Sequence, residues 1–207
     1  MQATRRTQSQ RSAETRQLLH EATIASLMEL GYANTSTQGI AERAGVSRGA
    51  QTHHYPGKID LIIAATEYMF EGFAEDVELL AARVRAGEIG LERFVDLLWQ
   101  EMLNGSWFYS SLEIIVAARG DAELRTRLAP LILDLHGRFE AAWEATFVSR
   151  EEGGVSARVA LNLVMNVFRG MAVQAVLRKE THYYAEMLLT LKQILASHVR
   201  PALAGPG

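Results

Sequence analysis

Thr35–Lys58, reading TSTQGIAERAGVSRGAQTHHYPGK, is the stretch that decides the fold. Thr37–Ala44 has the spacing of a short helix, with Ile40 and Ala41 inward and Gln38, Glu42 and Arg43 outward. Gly45 ends it, because glycine enters the left-handed region without a Cβ penalty. Ser47 is a good N-cap for a second short helix, Arg48–Tyr55. Pro56-Gly57 stops that one, since proline disfavours helical geometry in the residue before it. Two short helices across a tight glycine turn form a helix-turn-helix, a unit that lays its second helix in the DNA major groove.

Outward from this stretch the chain reads as helices throughout. A basic, aperiodic segment, residues 1–12, is expected to be a disordered arm. Helix 1 should run from about Ala13 to Leu30, with Leu19, Ala22, Leu27 and Leu30 on one face and Gly31 as its stop. Lys58 to about Val84 forms a longer helix with Leu61, Ala65, Met69 and Phe73 on one face. Gly87 and Gly90 punctuate the chain before helices Leu91–Leu103 and Ser106–Arg119, which Asn104-Gly105 separates. Asp121 is expected to cap a segment to Phe147 that Pro130 kinks or divides. Ser156–Leu177 and His182–Val199 are the last helices, and Pro201–Gly207 is a frayed tail. No strand-like alternation and no repeat emerges, so the fold is all-α.

Composition excludes several classes. The 207 residues are 48% hydrophobic and 22% charged, an ordinary globular balance. Without cysteine there is no disulfide, thiolate metal site or cysteine nucleophile. The first residues lack the apolar stretch of a signal peptide and no run reaches membrane-spanning length, so no membrane and a cytoplasmic location are expected. The net charge of −3 is unevenly spread: residues 1–58 hold seven Lys/Arg against four acids, and the rest is acidic. A basic head on an acidic body still draws phosphate locally. There is no Gly-rich phosphate loop, no Gly-x-Ser-x-Gly elbow and no converging catalytic set, which argues against an enzyme. His53 and His54, adjacent on a helix, point about 100° apart and cannot easily share a metal. No metal or cofactor is expected.

Gly31-Tyr32, Thr35-Ser36, Ile40-Ala41, Ala44-Gly45-Val46-Ser47, Gly49, His54-Tyr55, Lys58 and Leu61 resemble the N-terminal domain of TetR-type (tetracycline-repressor-like) transcriptional regulators. The match covers roughly residues 12–72, about a third of the chain. It implies a helix-turn-helix DNA-binding domain over 13–60, with its motif at about 36–55, and a helical effector-binding and dimerisation domain over 61–200. The chain is then expected to be a homodimeric repressor, released from a palindromic operator by a small apolar effector. An activator or effector-independent regulator of the same architecture is the alternative, and a helical enzyme a distant one.

Motif position implies the DNA contacts: Thr37, Gln38, Ser47, Arg48, Gly49, Gln51, Thr52, His53, His54 and Lys58. Arg48 can bond guanine O6 and N7 together. Gly49 lets the backbone approach. Gln51 either bonds adenine or turns inward, where the family usually has an apolar residue. Thr52 stands where many members have tyrosine. His53 and His54 contact phosphate or base, with His54 partly buried, and Tyr55 packs on helix 1. Lys58 suits a phosphate, as do Thr37 and Gln38 at a helix start. Arg43 is either a solvated residue or a phosphate contact.

Farther on, Trp99, Met102, Trp107, Phe108 and Tyr109 cluster about the 104–105 break, with Phe94, Phe139, Trp143 and Phe147 nearby in sequence. They are either core or the wall of an apolar pocket bounded also by Met69 and Phe73. Ser156–Leu177 is apolar nearly all round, apart from a stripe of Arg158, Asn162, Asn166 and Arg169. That stripe is either an exposed seam or carries Asn166 or Arg169 towards a ligand's polar end. Glu113, a candidate effector contact, is expected to be a paired or edge carboxylate rather than a catalytic acid, with a buried partner such as Arg119 or Arg169. Val159, Leu163, Met165 and Met171, with Met187, Leu191, Ile194 and Leu195, suggest that helices 156–177 and 182–199 meet their symmetry mates in a four-helix interface.

Overall fold

Thr7 is where described order begins. Its hydroxyl accepts from the Gln10 amide at 3.2 Å, and its own amide donates to Gln10 Oε1 at 2.9 Å. This capping box starts helix α1, Gln8–Asn34, five residues before the expected position and inside the segment read as a disordered arm. The polar run hid a helix because a capping box needs no apolar residue. The protein, here a computed structural model, is described over residues 7–104 and 106–202, without the side chains of 102–104 and 106. The rest of the arm and tail lies outside the described residues.

Helix α1 continues past its expected stop. Gly31 breaks it internally with φ 72° and ψ 170°, a region essentially reserved for glycine, and one more turn follows. Leu19, Ala22 and Leu27 are buried as read from the sequence, but Leu30 is 49% exposed. The buried face is completed by Thr23 and Ser26, whose hydroxyls satisfy themselves on the carbonyls of Leu19 and Ala22 at 2.7 Å. Then come α2 (Thr37–Ala44), α3 (Arg48–His54) and α4 (Lys58–Arg85), followed by α5 (Leu91–Asn104) and α6 (Ser106–Ala118). Asp121 caps α7 (Ala122–Glu144), accepting from the Leu124 amide at 3.0 Å. Pro130 does not divide α7, which runs unbroken through it; the residues about it are exposed or half-buried, so water can take the carbonyl left unpaired. The last elements are β1 (Phe147–Ser149), α8 (Ala157–Ala175), α9 (Thr181–His198) and β2 (Val199–Pro201).

The chain packs as two compact units. The first comprises Met1–Gly72 and Ser106–Leu133. In it α6 lies along α1, and Leu27, Ile62, Ile114, Ala118, Leu124 and Leu128 form one core cluster. Leu19, Ala22, Ile40 and Leu61 form a second, beneath α2 and α3. The second unit comprises Phe73–Gly105 and Asp134–Gly207. Its core is aromatic: Phe94 meets Trp143 and Phe147 at 5.7 and 5.6 Å, and Trp99 meets Phe168 and Tyr184 at 5.2 and 6.2 Å between centroids. Here β1 pairs antiparallel with β2, Phe147 opposite Pro201. Two three-residue strands are too short to show alternation, so the helical reading of the sequence missed them; the fold remains all-α in kind.

Among the described residues no helix is long and apolar enough to cross a membrane.

Candidate nucleic-acid interface and effector crevice

Local chemistry builds the helix-turn-helix almost alone. Ser36 caps α2 by accepting from the Gly39 amide at 3.1 Å. Gly45 sits in the left-handed region at φ 67°, and beyond it the Val46 amide returns to the Ala41 carbonyl at 3.0 Å. Ser47 caps α3, accepting from the Ala50 amide at 3.1 Å. The outer face of α3 then presents Arg48, Gly49, Thr52 and His53, all exposed, with Ser47 at its start. Gln38 is exposed and Thr37 half-buried at the start of α2.

Three residues of the motif turn away from that face. Gln51 is 2% exposed, and its amide donates to the Tyr55 carbonyl at 2.6 Å, so the inward orientation holds and adenine is out of its reach. Tyr55 packs on the Leu19 cluster and its hydroxyl meets His20 Nε2 at 2.6 Å, which fastens α3 to α1. Arg43 is exposed but not free: its guanidinium forks onto both carboxylate oxygens of Glu29 on α1, which compete with a phosphate for it.

Lys58 is only half available. Its Nζ donates to the Tyr32 carbonyl at 2.6 Å and lies 4.1 Å from the centre of the Tyr32 ring, and burial lowers its pKa. Two ammonium protons remain for a phosphate. Tyr32 is thereby a meeting point: its amide donates to Glu113 Oε2 at 3.2 Å and its hydroxyl to Asp121 Oδ2 at 3.4 Å. Glu113 is thus paired with backbone, neither with Arg119 nor with Arg169; it caps the break at Gly31. One cation escaped the sequence reading. Arg16 on α1 lies close enough to lower the pKa of His54, though burial and His53 matter more there. An Arg at i−4 from His20 was the available signal.

The predicted effector residues are divided between the two units. Met69, Trp107, Phe108 and Glu113 belong to the first unit; Phe73, Trp99, Trp143, Asn166 and Arg169 belong to the second. Trp107 and Phe108 pack edge to face at 6.0 Å, and Trp99 is interlocked with Phe168. The Met102 side chain lies outside the described residues. A small cavity in the second unit, about 10 Å³, is lined by Phe94, Phe139, Trp143, Leu161 and Met165 among others. Trp143 Nε1 is buried with no hydrogen-bond partner among the described residues.

A polar crevice adjoins this cavity, and the two share Phe139, Leu161 and Met165 as lining. It holds His136 and Glu140 of α7 and Asn162 and Arg169 of α8. Asn166 does not join them: it is exposed, and its amide donates to the Asn162 carbonyl at 2.8 Å. Arg169 Nη2 meets His136 Nε2 at 3.1 Å. Burial lowers the pKa of both, and for His136 the Arg169 charge adds to the effect. His136 stood alone in the sequence because only the packing of α7 on α8 gives it a partner.

Helix α8 is not buried all round. Val159, Leu163 and Val173 are exposed, Leu163 to 60%, as are Leu189 and Ile194 on α9. Met165, Met171, Leu191 and Leu195, expected on an interface, are in the core instead, because each belongs to the opposite, inward stripe of its helix. Val167, Tyr183, Met187, Leu191 and Ile194 line a groove of about 250 Å³ between α8 and α9.

Residues 19–65 match the family described as bacterial regulatory proteins, tetR family. The HTH-type transcriptional regulator CymR of Pseudomonas putida is 33% identical over 180 residues, covering 87% of this chain and 88% of its own length. An uncharacterized HTH-type transcriptional regulator of Mycobacterium tuberculosis is 30% identical over 168 residues, covering 81% and 86%. Among solved structures, Salmonella enterica GusR superposes with a TM-score of 0.64 at 18% identity, covering 88% of this chain and 93% of that one, a likeness of fold.

Proposed function

We propose a ligand-released repressor, on the premise that this chain belongs to the TetR family of bacterial regulatory proteins. It is a DNA-binding transcriptional regulator and not an enzyme, and regulators of this family bind operator DNA and dimerise. The observation that carries the reading is the exposed face of α3, where Arg48, Thr52 and His53 project from a helix held by Ser47 in front and Tyr55 behind. Arg48 reads a guanine, and Thr52 and His53 add base or phosphate contacts. Ser47, Gly49, Thr37, Gln38, His54 and the spare protons of Lys58 hold the backbone.

Two such helices enter successive major grooves of a palindrome, about 34–36 Å apart. The functional division is 13–60 for DNA and 61–200 for effector and dimer. The exposed apolar stripes of α8 and α9 and the groove between them meet the same surfaces of a second copy. Operator binding places the protein's work in the cytoplasm. The effector enters the second unit beside Trp143, where Phe139 and Met165 must yield, because about 10 Å³ holds no more than a water molecule. A ligand that opens this space favours one conformer, and release follows if that conformer binds DNA less well.

Footprinting on the DNA upstream of its own gene, with and without small apolar compounds, tests the reading. Protection of a palindrome that a compound abolishes is the expected result. A uniform, sequence-independent footprint would remove the repressor. Sedimentation tests the assembly: wild type runs as a dimer and Leu163→Glu shifts it towards monomer.

A further inference from the structure

We infer that the effector of this repressor is a monocarboxylate with an apolar body, its carboxylate taken by Arg169 and His136 and its body by the cavity behind Phe139, Leu161 and Met165. The inference rests on the ligand-released reading and gives it a chemical class. The central observation is a half-buried guanidinium with no ion pair among the described residues. Among the described residues Arg169 has no ion pair with a carboxylate, and its hydrogen bond is to His136 Nε2 at 3.1 Å. A guanidinium has no lone pair, so that ring nitrogen accepts and His136 is neutral. Burial removes water from Arg169 with no ion pair in return, and its lowered pKa records the cost.

Glu140, the acid that lines the crevice, bonds to Asn162 of the same lining. Its Oε1 accepts from Asn162 Nδ2 at 2.8 Å, and the same amide is fixed to the Arg158 carbonyl at 3.0 Å. The crevice therefore holds one cation with no ion pair beside a carboxylate whose hydrogen bond is to a neutral amide. A single negative charge satisfies Arg169; a dianion such as phosphate meets Glu140 with its second charge. A planar carboxylate also matches the two-pronged guanidinium, which a point anion does not.

The body follows from the lining the two spaces share. Phe139, Leu161 and Met165 face both the crevice and the cavity. A ligand anchored at Arg169 lays its apolar part across them, towards Trp143. Methionine, unbranched and adaptable, is the side chain of the three that yields most readily.

The test uses the full chain and four probes, benzoate and octanoate against benzamide and octanamide, with inorganic phosphate as a fifth. Direct binding is read by calorimetry and by the rise in Tm; release is read by anisotropy of labelled operator DNA. The acids should bind about 10-fold or more tightly than their amides, because a charge-assisted bond is lost with the charge. Arg169→Gln should erase that preference while Arg169→Lys keeps part of it, and His136→Asn should weaken acids more than amides. Circular dichroism confirms that each variant folds. Amides that bind as well as acids, phosphate that outbinds both, failure of both acids to bind, or an acid preference that survives Arg169→Gln would overturn the inference. Operator release by the amides alone would sink it and leave the repressor standing. Acids that bind through Arg169 without releasing DNA would uphold the site and sink the ligand-released reading.

Discussion

The turn between α2 and α3 and the crevice between α7 and α8 do their work by different means. In the turn, each decisive bond joins residues a few positions apart: Ser36 to Gly39, Val46 to Ala41, Ser47 to Ala50. In the crevice, His136 finds Arg169 and Glu140 finds Asn162 across spans of 33 and 22 residues. The shape of the first site is written into its own segment, and distant packing, as of Tyr55 on His20, fixes where that segment sits. The second exists only while two helices are packed, and a ligand that shifts one helix changes it. Reading DNA calls for the first property and sensing a ligand for the second.

The largest effect should come from the aromatic packing behind the crevice. Phe168 is fully buried against Trp99. Phe168→Ala should cost about 3–5 kcal/mol by leaving a cavity. Urea unfolding measures it, and a cost below about 1 kcal/mol would mean that this core is loosely packed.

Next comes the glycine that breaks α1. A Cβ at position 31 would sit 2.9 Å from Glu113 Oε2, on a backbone that L-residues rarely adopt. Gly31→Ala should therefore cost about 1–3 kcal/mol. Glu113→Ala in the same chain should recover the contact part and leave the backbone part. Full additivity in the double variant would remove Glu113 from the explanation.

On the DNA face, Arg48→Ala should weaken operator binding by about 1–3 kcal/mol and relax specificity at one base, with Tm unchanged. Lys58→Ala should weaken all DNA alike and also lower Tm, because it leaves the Tyr32 carbonyl with only the longer bond from the Thr35 amide. Equal losses on operator and random DNA for Arg48→Ala would take base reading away from it.

The smallest effect is the response to acid. Burial, and then Arg16, hold His20 below its ordinary pKa of 6.5. The folded state therefore binds fewer protons than the unfolded one. This contribution to stability is full above 6.5 and is lost as pH falls through that value. Tm should fall between about pH 8 and pH 5.5, and His20→Gln should flatten the slope. An unchanged slope would place the acid sensitivity elsewhere.

Legibility in the sequence followed the range of the interactions. The bounds of α2 and the start of α3 were readable to the residue, because caps and a left-handed glycine act within one turn. Leu30, with the same apolar character as Leu27, was misread, since nothing local says where the covering helix ends. Trp99 and Trp107, eight positions apart, looked like one cluster and fall in different units. Met165 and Leu163 both read as interface, and the packing buried one and exposed the other.

By itself the sequence determined that this chain is helical and carries a helix-turn-helix whose second helix opens at Arg48, because backbone caps and helical periodicity are set by near neighbours. Only the tertiary structure decided that Gln51 faces inward, that Arg43 is neutralised by Glu29 and that Lys58 is tied to Tyr32. It alone also set His136 beside Arg169 and turned Glu140 to Asn162. Those outcomes depend on which charges and cavities distant segments bring together, and burial, which strengthens each charge and penalises each unpaired one, is a property of the packed chain.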